Sequence, residues 1–279
     1  MKKPIWIEFH IGFFILLTKG VIIGYNGDNT DTPMEVIMNE TIKQLNERKS
    51  VRVFLDREIT KEEKDAIINA ACQAPTAGNQ QLYTIIDVTE QSIKDRLVET
   101  CDDQPFIATA KLVLIFCADC KKWYDAFKAC GCEPRLPAVG DLLLAVSDAN
   151  IAAQNAVTAA ESLGIGSCYI GDIMENCEAQ RELLKLPEYV FPAAMLVFGY
   201  PTEQQKQRQK PRRADMSHIV HENAYREMDA AELCELFSIR ADKKTYEEYM
   251  KAFCARKYNS EFSLEMSRSV AKYLKQFEK

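Results

Sequence analysis

Arg48-Lys49-Ser50-Val51-Arg52 brings three cations and a hydroxyl together where a polar helix is predicted to end and an extended segment to begin. The helix is predicted over Thr41 to Asn46, and the run Val53-Phe54-Leu55-Asp56 predicts the extended segment. Arginine and lysine side chains at such a junction can converge on a phosphate, with the Ser50 hydroxyl and backbone amides as further donors. A solvated basic turn is the alternative interpretation.

A second polar segment, Ala74-Pro75-Thr76-Ala77-Gly78-Asn79-Gln80-Gln81, is predicted to form a loop between a helix and a strand. Its amide and hydroxyl side chains donate and accept hydrogen bonds without burying a charge, which suits a planar polar ring. This loop strengthens the interpretation of residues 48–52 as part of a ligand site.

The composition is typical of a globular protein. Its 279 residues are 47% hydrophobic and 27% charged, which is enough for one large domain or two small ones. The net charge of -6 argues against nucleic-acid binding, and the local cations at residues 48–52 and 206–213 fit a small anion. Ten cysteines without a regular framework indicate a reducing compartment, so we expect a cytoplasmic protein.

Residues 1–33 do not match the rest of the chain. Charged residues interrupt a signal-peptide pattern, no A-x-A-like cleavage site follows, and the apolar stretch Ile11 to Leu17 is far shorter than the roughly 20 residues of a membrane span. We predict an N-terminal extension outside the fold, either loosely ordered or upstream of a start at Met34 or Met38. The polar linker Asn26 to Pro33 then leads into a domain of residues 34–279.

The remaining chain predicts a single mixed α/β pattern. Thr60-Lys61-Glu62-Glu63 is a capping box, so a helix is predicted from Lys61 to Gln73. A long helix is predicted from Asp141 to Leu163, and its alanine and leucine residues on nearly every face suggest a second subunit as a cover. Strands are predicted at Tyr83–Val88, Lys111–Ala118, Ser167–Ile170 and Ala193–Phe198.

Two regions are predicted to be helical without further strands. Asp172 to Leu186 predicts a short helix that ends before Pro187. From about Asp229 to Lys279 the chain is charged and lacks β signals, so we predict a helical C-terminal arm that wraps another surface.

Common catalytic and cofactor motifs are absent from the sequence. Gly164-Ile165-Gly166 follows a helix and lacks a third glycine, so it is not a dinucleotide-binding fingerprint. There is no P-loop, no G-x-S-x-G and no H-E-x-x-H. His218 and His221 have no acidic or thiol partner at ligand spacing, which argues against a metal there.

Cys117-x-x-Cys120 and Cys130-x-Cys132 place four thiols within 16 residues, and paired cysteines also occur in zinc and iron–sulfur sites. Against a metal, Cys117 ends a predicted buried strand, where a thiol packs as a small apolar group, and the second pair is C-x-C. We predict packing and no metal, with a metal site as the alternative. Cys168 is likewise predicted to pack.

Four motifs occur in a fixed order along the chain: R-x-S-x-R at Arg48 to Arg52, A-P-T-A-G-N-x-Q at Ala74 to Gln81, Tyr169-Ile170-Gly171-Asp172, and Lys210-Pro211-Arg212. Together they resemble the flavin-dependent nitroreductase family over roughly residues 40 to 275. Ala159 to Gly166 and His221 to Tyr225 are similar to its NADPH-preferring nitroreductase and flavin reductase branch.

The resemblance implies an FMN site made from these motifs. The phosphate of FMN would be bound by Arg48, Lys49, Ser50, Lys210 and Arg212. Arg52 would lie at the pyrimidine edge of the isoalloxazine, near N1 and O2, where a fixed cation stabilises the negative charge of the reduced flavin. Thr76, Asn79 and Gln81 would face the ribityl chain or ring edge, and Gln104 would offer its amide from the other subunit. Tyr169, Ile170 and Gly171 would lie along the flavin, where a glycine permits close backbone approach.

The same resemblance implies fold, assembly and reaction. It predicts an α+β fold with a central, mainly antiparallel sheet flanked by helices, in an intertwined homodimer with two flavin sites. NADPH or NADH would pass hydride to flavin N5, and a nitroaromatic, quinone or free flavin would then accept it, so no catalytic side chain is required. The expected partners are a small-molecule electron acceptor and a second copy of the chain, with no nucleic acid and no membrane. The alternatives are another flavin reaction such as reductive dehalogenation, or a flavin-binding storage or sensing protein.

Two positions depart from the pattern of that branch, which often has a serine-rich run at residues 74–81. Asp172 stands where a second glycine is common, and its carboxylate either lies close to the flavin or caps a helix starting near Ile173. In the arm, Arg256 and Lys257 are candidates for binding the 2′-phosphate of NADPH, with a solvated face or an intersubunit ion pair as the alternative.

Overall fold

The computed structural model divides the chain into two compact units, Met1–Arg48 and Lys49–Lys279. It describes the backbone of four strands within residues 6–36, and then residues 38–241 and 244–278. The predicted linker at residues 26–33 lies outside the described residues.

The first unit contains an antiparallel sheet that the sequence analysis does not predict. Its strands pair in chain order and are β1 (Trp6–Phe9), β2 (Phe13–Thr18), β3 (Val21–Tyr25) and β4 (Met34–Val36). Helix α1 (Glu40–Glu47) follows and confirms the predicted polar helix; the Asn39 side chain caps it by accepting from the Ile42 N–H at 2.9 Å. That residues 1–33 lie outside the fold stays a prediction.

The second unit is built on a four-stranded antiparallel sheet in the order β5-β6-β8-β7. Its strands are β5 (Tyr83–Asp87), β6 (Leu112–Asp119), β7 (Gly166–Ile170) and β8 (Val190–Gly199). These confirm the four predicted strands. Every residue of β6 and β8 is buried, as their continuous apolar runs predict for interior strands.

Helices cover the sheet, so the fold is α+β with a central antiparallel sheet flanked by helices, as predicted. They are α2 (Lys61–Cys72), α3 (Gln91–Thr100), α4 (Phe106–Thr109), α5 (Lys121–Ala129), α6 (Val139–Ser162), α7 (Cys177–Leu183), α8 (Glu203–Gln207), α9 (Ala230–Ser238), α10 (Tyr246–Lys257) and α11 (Glu261–Leu274). The predicted capping box of α2 is confirmed, because the Glu63 N–H donates to Thr60 Oγ1 at 3.2 Å and the Thr60 N–H to Glu63 Oε2 at 2.8 Å. Within the described residues, no helix is both long and apolar enough to span a membrane.

Helix α6 packs against the sheet through small side chains. Ala145, Ala149, Ala152, Ala156 and Ala160 are fully buried in the main core cluster, where the absence of bulk lets helix and sheet approach closely. The opposite face of the same helix leaves three large apolar side chains open. Leu143, Leu144 and Ile151 are 62%, 51% and 41% exposed.

One predicted helix differs in the structure. The single helix predicted over Asp172 to Leu186 is wrong, because a 3-10 helix (Gly171–Met174) and α7 are separated by Asn176 in the left-handed conformation, with φ 51°. The Asn176 side chain donates to the Thr100 carbonyl at 3.0 Å, and its N–H donates to Glu265 Oε1 at 3.0 Å, so distant residues fix the break. The predicted extended segment at residues 53–56 is consistent with the structure, because Phe54 makes an isolated antiparallel bridge to Pro201 and the Leu55 N–H donates to the Tyr200 carbonyl at 2.8 Å.

Gly166, at the start of β7, provides a testable feature of this packing. A Cβ added there would lie 2.5 Å from Val51 Cγ2, and a valine side chain cannot easily rotate away. We expect Gly166→Ala to lower the free energy of unfolding by about 1 to 3 kcal/mol in urea titrations. Gly140→Ala is the control, since nothing lies within 4 Å of a Cβ at Gly140. Equal stability of the two variants would contradict the prediction.

Candidate functional site

The cationic segment is anchored to the sheet through its backbone. Ser50 pairs with Ser167 in a parallel bridge, and the Val51 N–H donates to the Ser167 carbonyl at 2.9 Å. Val51 is buried and fills the space over Gly166. Lys49, Ser50 and Arg52 therefore lie beside β7, the strand that ends at Ile170.

Helix α8 holds the same segment from the other side. Lys49 Nζ donates to the Lys206 carbonyl at 2.5 Å, and the Arg52 N–H donates to Gln205 Oε1 at 3.3 Å. The Arg208 guanidinium donates to the Ser50 carbonyl. The sequence analysis does not assign Gln205 or Arg208 to the site, although the basic run at 206–213 is a signal for the second.

The two segments together give a donor set that suits a phosphate. An ammonium, a guanidinium and a hydroxyl come from Lys49, Arg208 and Ser50, and Arg52 adds a second guanidinium whose Cζ lies 5.8 Å from the Phe106 ring centroid. Of the predicted phosphate ligands on the following loop, Lys210 is half-buried and Arg212 is exposed. Arg48 belongs to the first unit, where its N–H donates to the Gln44 carbonyl at 2.8 Å.

The loop at residues 74–81 is held by a buried carboxylate on α6. Asp148, which is 2% exposed, accepts from the Ala77 N–H at 2.9 Å and the Leu82 N–H at 3.2 Å. The Thr76 hydroxyl accepts from the Gln81 N–H at 3.1 Å, which closes the loop on itself. Asn79 and Gln81 are exposed at its surface. Asp148 is not among the predicted site residues; an aspartate in the alanine-rich middle of the helix is the available signal.

The predicted site residues thus fall on different supports. Residues 49–52 contact β7 and α8. The loop that carries Thr76, Asn79 and Gln81 is instead hydrogen-bonded to α6. It is also bonded to α5, because Trp123 Nε1 donates to the Gln80 carbonyl at 2.7 Å. Each group of predicted site residues is held by hydrogen bonds to the strand or helices beside it.

At the end of β7, it is mainly the backbone of the residues that is available to a ligand. The Ile170 side chain is 2% exposed and lies in the core, so it is the main chain at this position that remains for a ligand. Gly171 is exposed and starts the 3-10 helix. The Tyr169 hydroxyl lies 3.4 Å from Gln154 Oε1 on α6.

Gln104 and Asp172 meet next to this strand end. Gln104 Nε2 donates to Asp172 Oδ2 at 2.9 Å and to the Cys101 carbonyl at 2.8 Å, which uses both amide hydrogens. The Gln104 Oε1 atom is then the part of the amide left for a ligand. The helix-cap interpretation of Asp172 is wrong, because Asp172 lies inside the 3-10 helix that Ile170 precedes.

A cavity of about 300 Å³ adjoins the 74–81 loop. Gln80 and Leu82 form one side and α5 the other, with Trp123, Tyr124 and Phe127 supplying aromatic surface. Arg135 and Asp141 form a two-point ion pair at its rim, and the hydrogen bond from Arg135 holds the pKa of Asp141 below its ordinary value.

The cysteines and the two arm cations have local partners. Burial raises the pKa of the Cys117 and Cys120 thiols to about 12, whereas Cys130 and Cys132 are exposed and free. Among the described residues, no cluster of three or more histidine, cysteine or acidic side chains could hold a metal. Arg256 Cζ lies 5.3 Å from the Phe253 ring centroid and Lys257 Nζ 5.1 Å from that of Phe262, both at the exposed end of α10.

Comparison with known proteins gives consistent matches. The family model described as the nitroreductase family matches residues 45–200. A Bacillus subtilis (strain 168) protein named FMN reductase, specified for NAD(P)H, is 32% identical, over 85% of this chain and 91% of its own length. An oxygen-insensitive NADPH nitroreductase of Salmonella typhimurium is 36% identical, over 76% of this chain and 84% of its own. Among solved structures, NfrA2 of B. megaterium superposes with a TM-score of 0.76 at 29% identity, covering 87% of this chain and all of its own.

Asp148 is expected to be a major stabiliser of the 74–81 loop. Asp148→Ala leaves a buried amide donor at Leu82 and a half-buried one at Ala77 without an acceptor, so we expect a loss of about 2 to 4 kcal/mol in unfolding free energy. Amide hydrogen exchange at Ala77 and Leu82 should accelerate by the factor that corresponds to this loss of free energy. Asp65→Ala, which removes a carboxylate paired with exposed Lys61, is the control and should cost less than about 1 kcal/mol. Unchanged exchange at both amides would contradict this role.

Proposed function

Because the chain belongs to the nitroreductase family, we propose that it is an FMN-dependent NAD(P)H oxidoreductase that reduces nitroaromatics, quinones or free flavin. Membership of the family confirms the resemblance that the four ordered motifs predict. The names of the relatives, FMN reductase and NADPH nitroreductase, support both the cofactor and the co-substrate.

The observation that carries this proposal is the meeting of the cationic segment with α8. Lys49, Ser50 and Arg208 present an ammonium, a hydroxyl and a guanidinium together, and this donor chemistry fits a phosphate monoester. In the proposal, Arg48, Lys210 and Arg212 complete the phosphate site. FMN, when bound, supplies a centre that accepts and donates hydride, and the chain's own residues bind and orient it.

Arg52 is proposed to act on the electronics of the flavin. Its backbone is fixed by Gln205 and its guanidinium lies near Phe106, so the charge is held in a defined place. A fixed cation at the pyrimidine edge stabilises the negative charge that develops there on reduction. Thr76, Asn79, Gln81, Tyr169, Ile170 and Gly171 are proposed as the remaining contacts with the ribityl chain and ring.

We propose that the working unit is a homodimer. Leu143, Leu144 and Ile151 form an exposed apolar face on α6, the helix whose other face already supports the core. A second copy of the chain is proposed to cover this apolar face. Gln104 is proposed to reach the flavin bound by its partner subunit.

The cavity beside α5 is proposed to receive the electron acceptor. Trp123, Tyr124 and Phe127 offer flat apolar surface, which suits a nitroaromatic or quinone ring. A cytoplasmic location forms part of the proposal, and it is supported by ten cysteines without a regular disulfide framework in the sequence. Reductive dehalogenation and flavin storage are the alternatives, and the following experiment distinguishes the second.

The purified protein is expected to be yellow, to contain FMN, and to oxidise NAD(P)H when a nitroaromatic is added. Arg52→Ala should lower the flavin potential and weaken FMN binding, because the cation that stabilises the reduced form is removed. Arg96→Ala, an exposed arginine paired with Glu99, is the control and should change neither quantity. Failure of the protein to take up FMN would contradict the proposal. FMN binding without NAD(P)H turnover would favour the storage alternative.

A preference for NADPH is expected to depend on Arg256 and Lys257. The 2′-phosphate needs a cation that NADH does not, so Arg256→Ala/Lys257→Ala should reduce kcat/KM for NADPH about tenfold, or roughly 1.4 kcal/mol, with little change for NADH. Lys251→Ala on the same helix is the control. Equal losses for both nucleotides, or none, would remove this pair from the nucleotide site.

A further inference from the structure

The turn that follows β7 contains a buried carboxyl group which the flavin chemistry does not use. Glu175 is 5% exposed, and its Oε1 atom has no hydrogen-bond partner within the described residues. Its N–H donates to the Asp172 carbonyl at 3.0 Å, which closes the 3-10 helix immediately after the strand end. A buried carboxylate without a cationic partner is costly, so its protonation state matters for this turn.

The groups around Glu175 are mostly acidic. Asp172 lies within hydrogen-bonding range on the same turn, Asp102 approaches from the end of α3, and Glu265 approaches from α11. Glu265 is itself paired with Arg268, whose Nε donates to Glu265 Oε2 at 2.7 Å. The nearby Cys101 thiol stays neutral, because burial raises its pKa to about 12. Burial, followed by the charge of Asp172, raises the pKa of Glu175 to about 8.

The same turn is clamped by elements on two sides. From the end of α3, Gln104 Nε2 donates to Asp172 Oδ2 at 2.9 Å. From α11, Ser269 Oγ donates to the Met174 carbonyl at 2.6 Å and accepts from the Cys177 N–H at 2.9 Å. Asp172 therefore sits between an amide donor and a second carboxyl group, and it can accept from both only while Glu175 holds a proton.

We propose that Glu175 is a positioning residue that shares a proton with Asp172, thereby holding residues 171–176 and the adjoining Ile170–Gly171 backbone in the arrangement that binds the flavin. Loss of that proton places two carboxylates side by side in a site with little water, and their repulsion opens the turn. The pair therefore makes flavin affinity depend on pH. This inference rests on the proposed function, since it assigns Ile170 and Gly171 to the FMN site.

FMN binding to the apoprotein, followed by flavin fluorescence between pH 6.5 and 9, tests the proposal. The Kd of the wild type should rise about tenfold as pH passes through about 8. Glu175→Gln keeps a neutral donor opposite Asp172, so its Kd should change less than about twofold over the same range. Glu182→Gln, an exposed change on α7, should follow the wild type. A pH-independent Kd in the wild type, or the same rise in Glu175→Gln, overturns the proposal.

Thermal unfolding of the apoprotein tests the shared proton without the flavin. A pKa that is higher in the folded state than its ordinary value near 4.5 stabilises the fold at low pH, and this contribution is lost as pH rises towards about 8. The Tm of the wild type relative to Glu175→Gln should therefore fall between pH 4.5 and 8 and then level off. A constant difference shows that Glu175 holds no such proton. Absence of FMN binding at every pH would instead overturn the proposed function.

Discussion

The backbone hydrogen bond from Val51 to Ser167 is the constraint on which the proposed site depends. It fixes the cationic segment against β7 at a position where Gly166 leaves room for the Val51 side chain. The strand then sets the distance to Gly171, since four residues of extended chain span about 13 Å. Strand β7 thus has the cationic segment at one end and the exposed backbone of Gly171 at the other. These two parts of the proposed site cannot shift independently.

Helix α6 contacts the sheet, supports the polar loop and carries an exposed apolar face, each through a different kind of side chain. Its alanines pack on the sheet, Asp148 organises the polar loop, and its exposed leucines leave an apolar face. A substitution on this helix therefore affects core packing, loop geometry or assembly according to its position around the axis. The buried aspartate is tolerated because two amide donors satisfy it.

Local signals in the sequence predict much of this structure, and distant contacts explain what they miss. The capping box at Thr60 and the apolar runs of β6 and β8 depend on neighbouring residues and are read directly. Asp148 bonds to Ala77 across 71 positions and Arg208 to Ser50 across 158, so no local pattern reveals either role. The break at Asn176 depends on Glu265, 89 positions away. For the strands before residue 37, the available local signal is the dipeptide Lys19-Gly20 between two apolar runs, since a glycine-containing two-residue spacer is typical of a hairpin.

The clamp on the 171–176 turn also orders events during synthesis of the protein. Ser269 and Glu265, which hold Met174, Asn176 and Cys177, follow these residues by 89 to 95 positions in the chain. While the ribosome is still making this segment, the sheet and the cationic segment have their own residues available, but the turn lacks its second support. Cofactor capture with full affinity is therefore a step that follows synthesis and docking of α11, and translation products that stop before this helix are poor competitors for the cofactor.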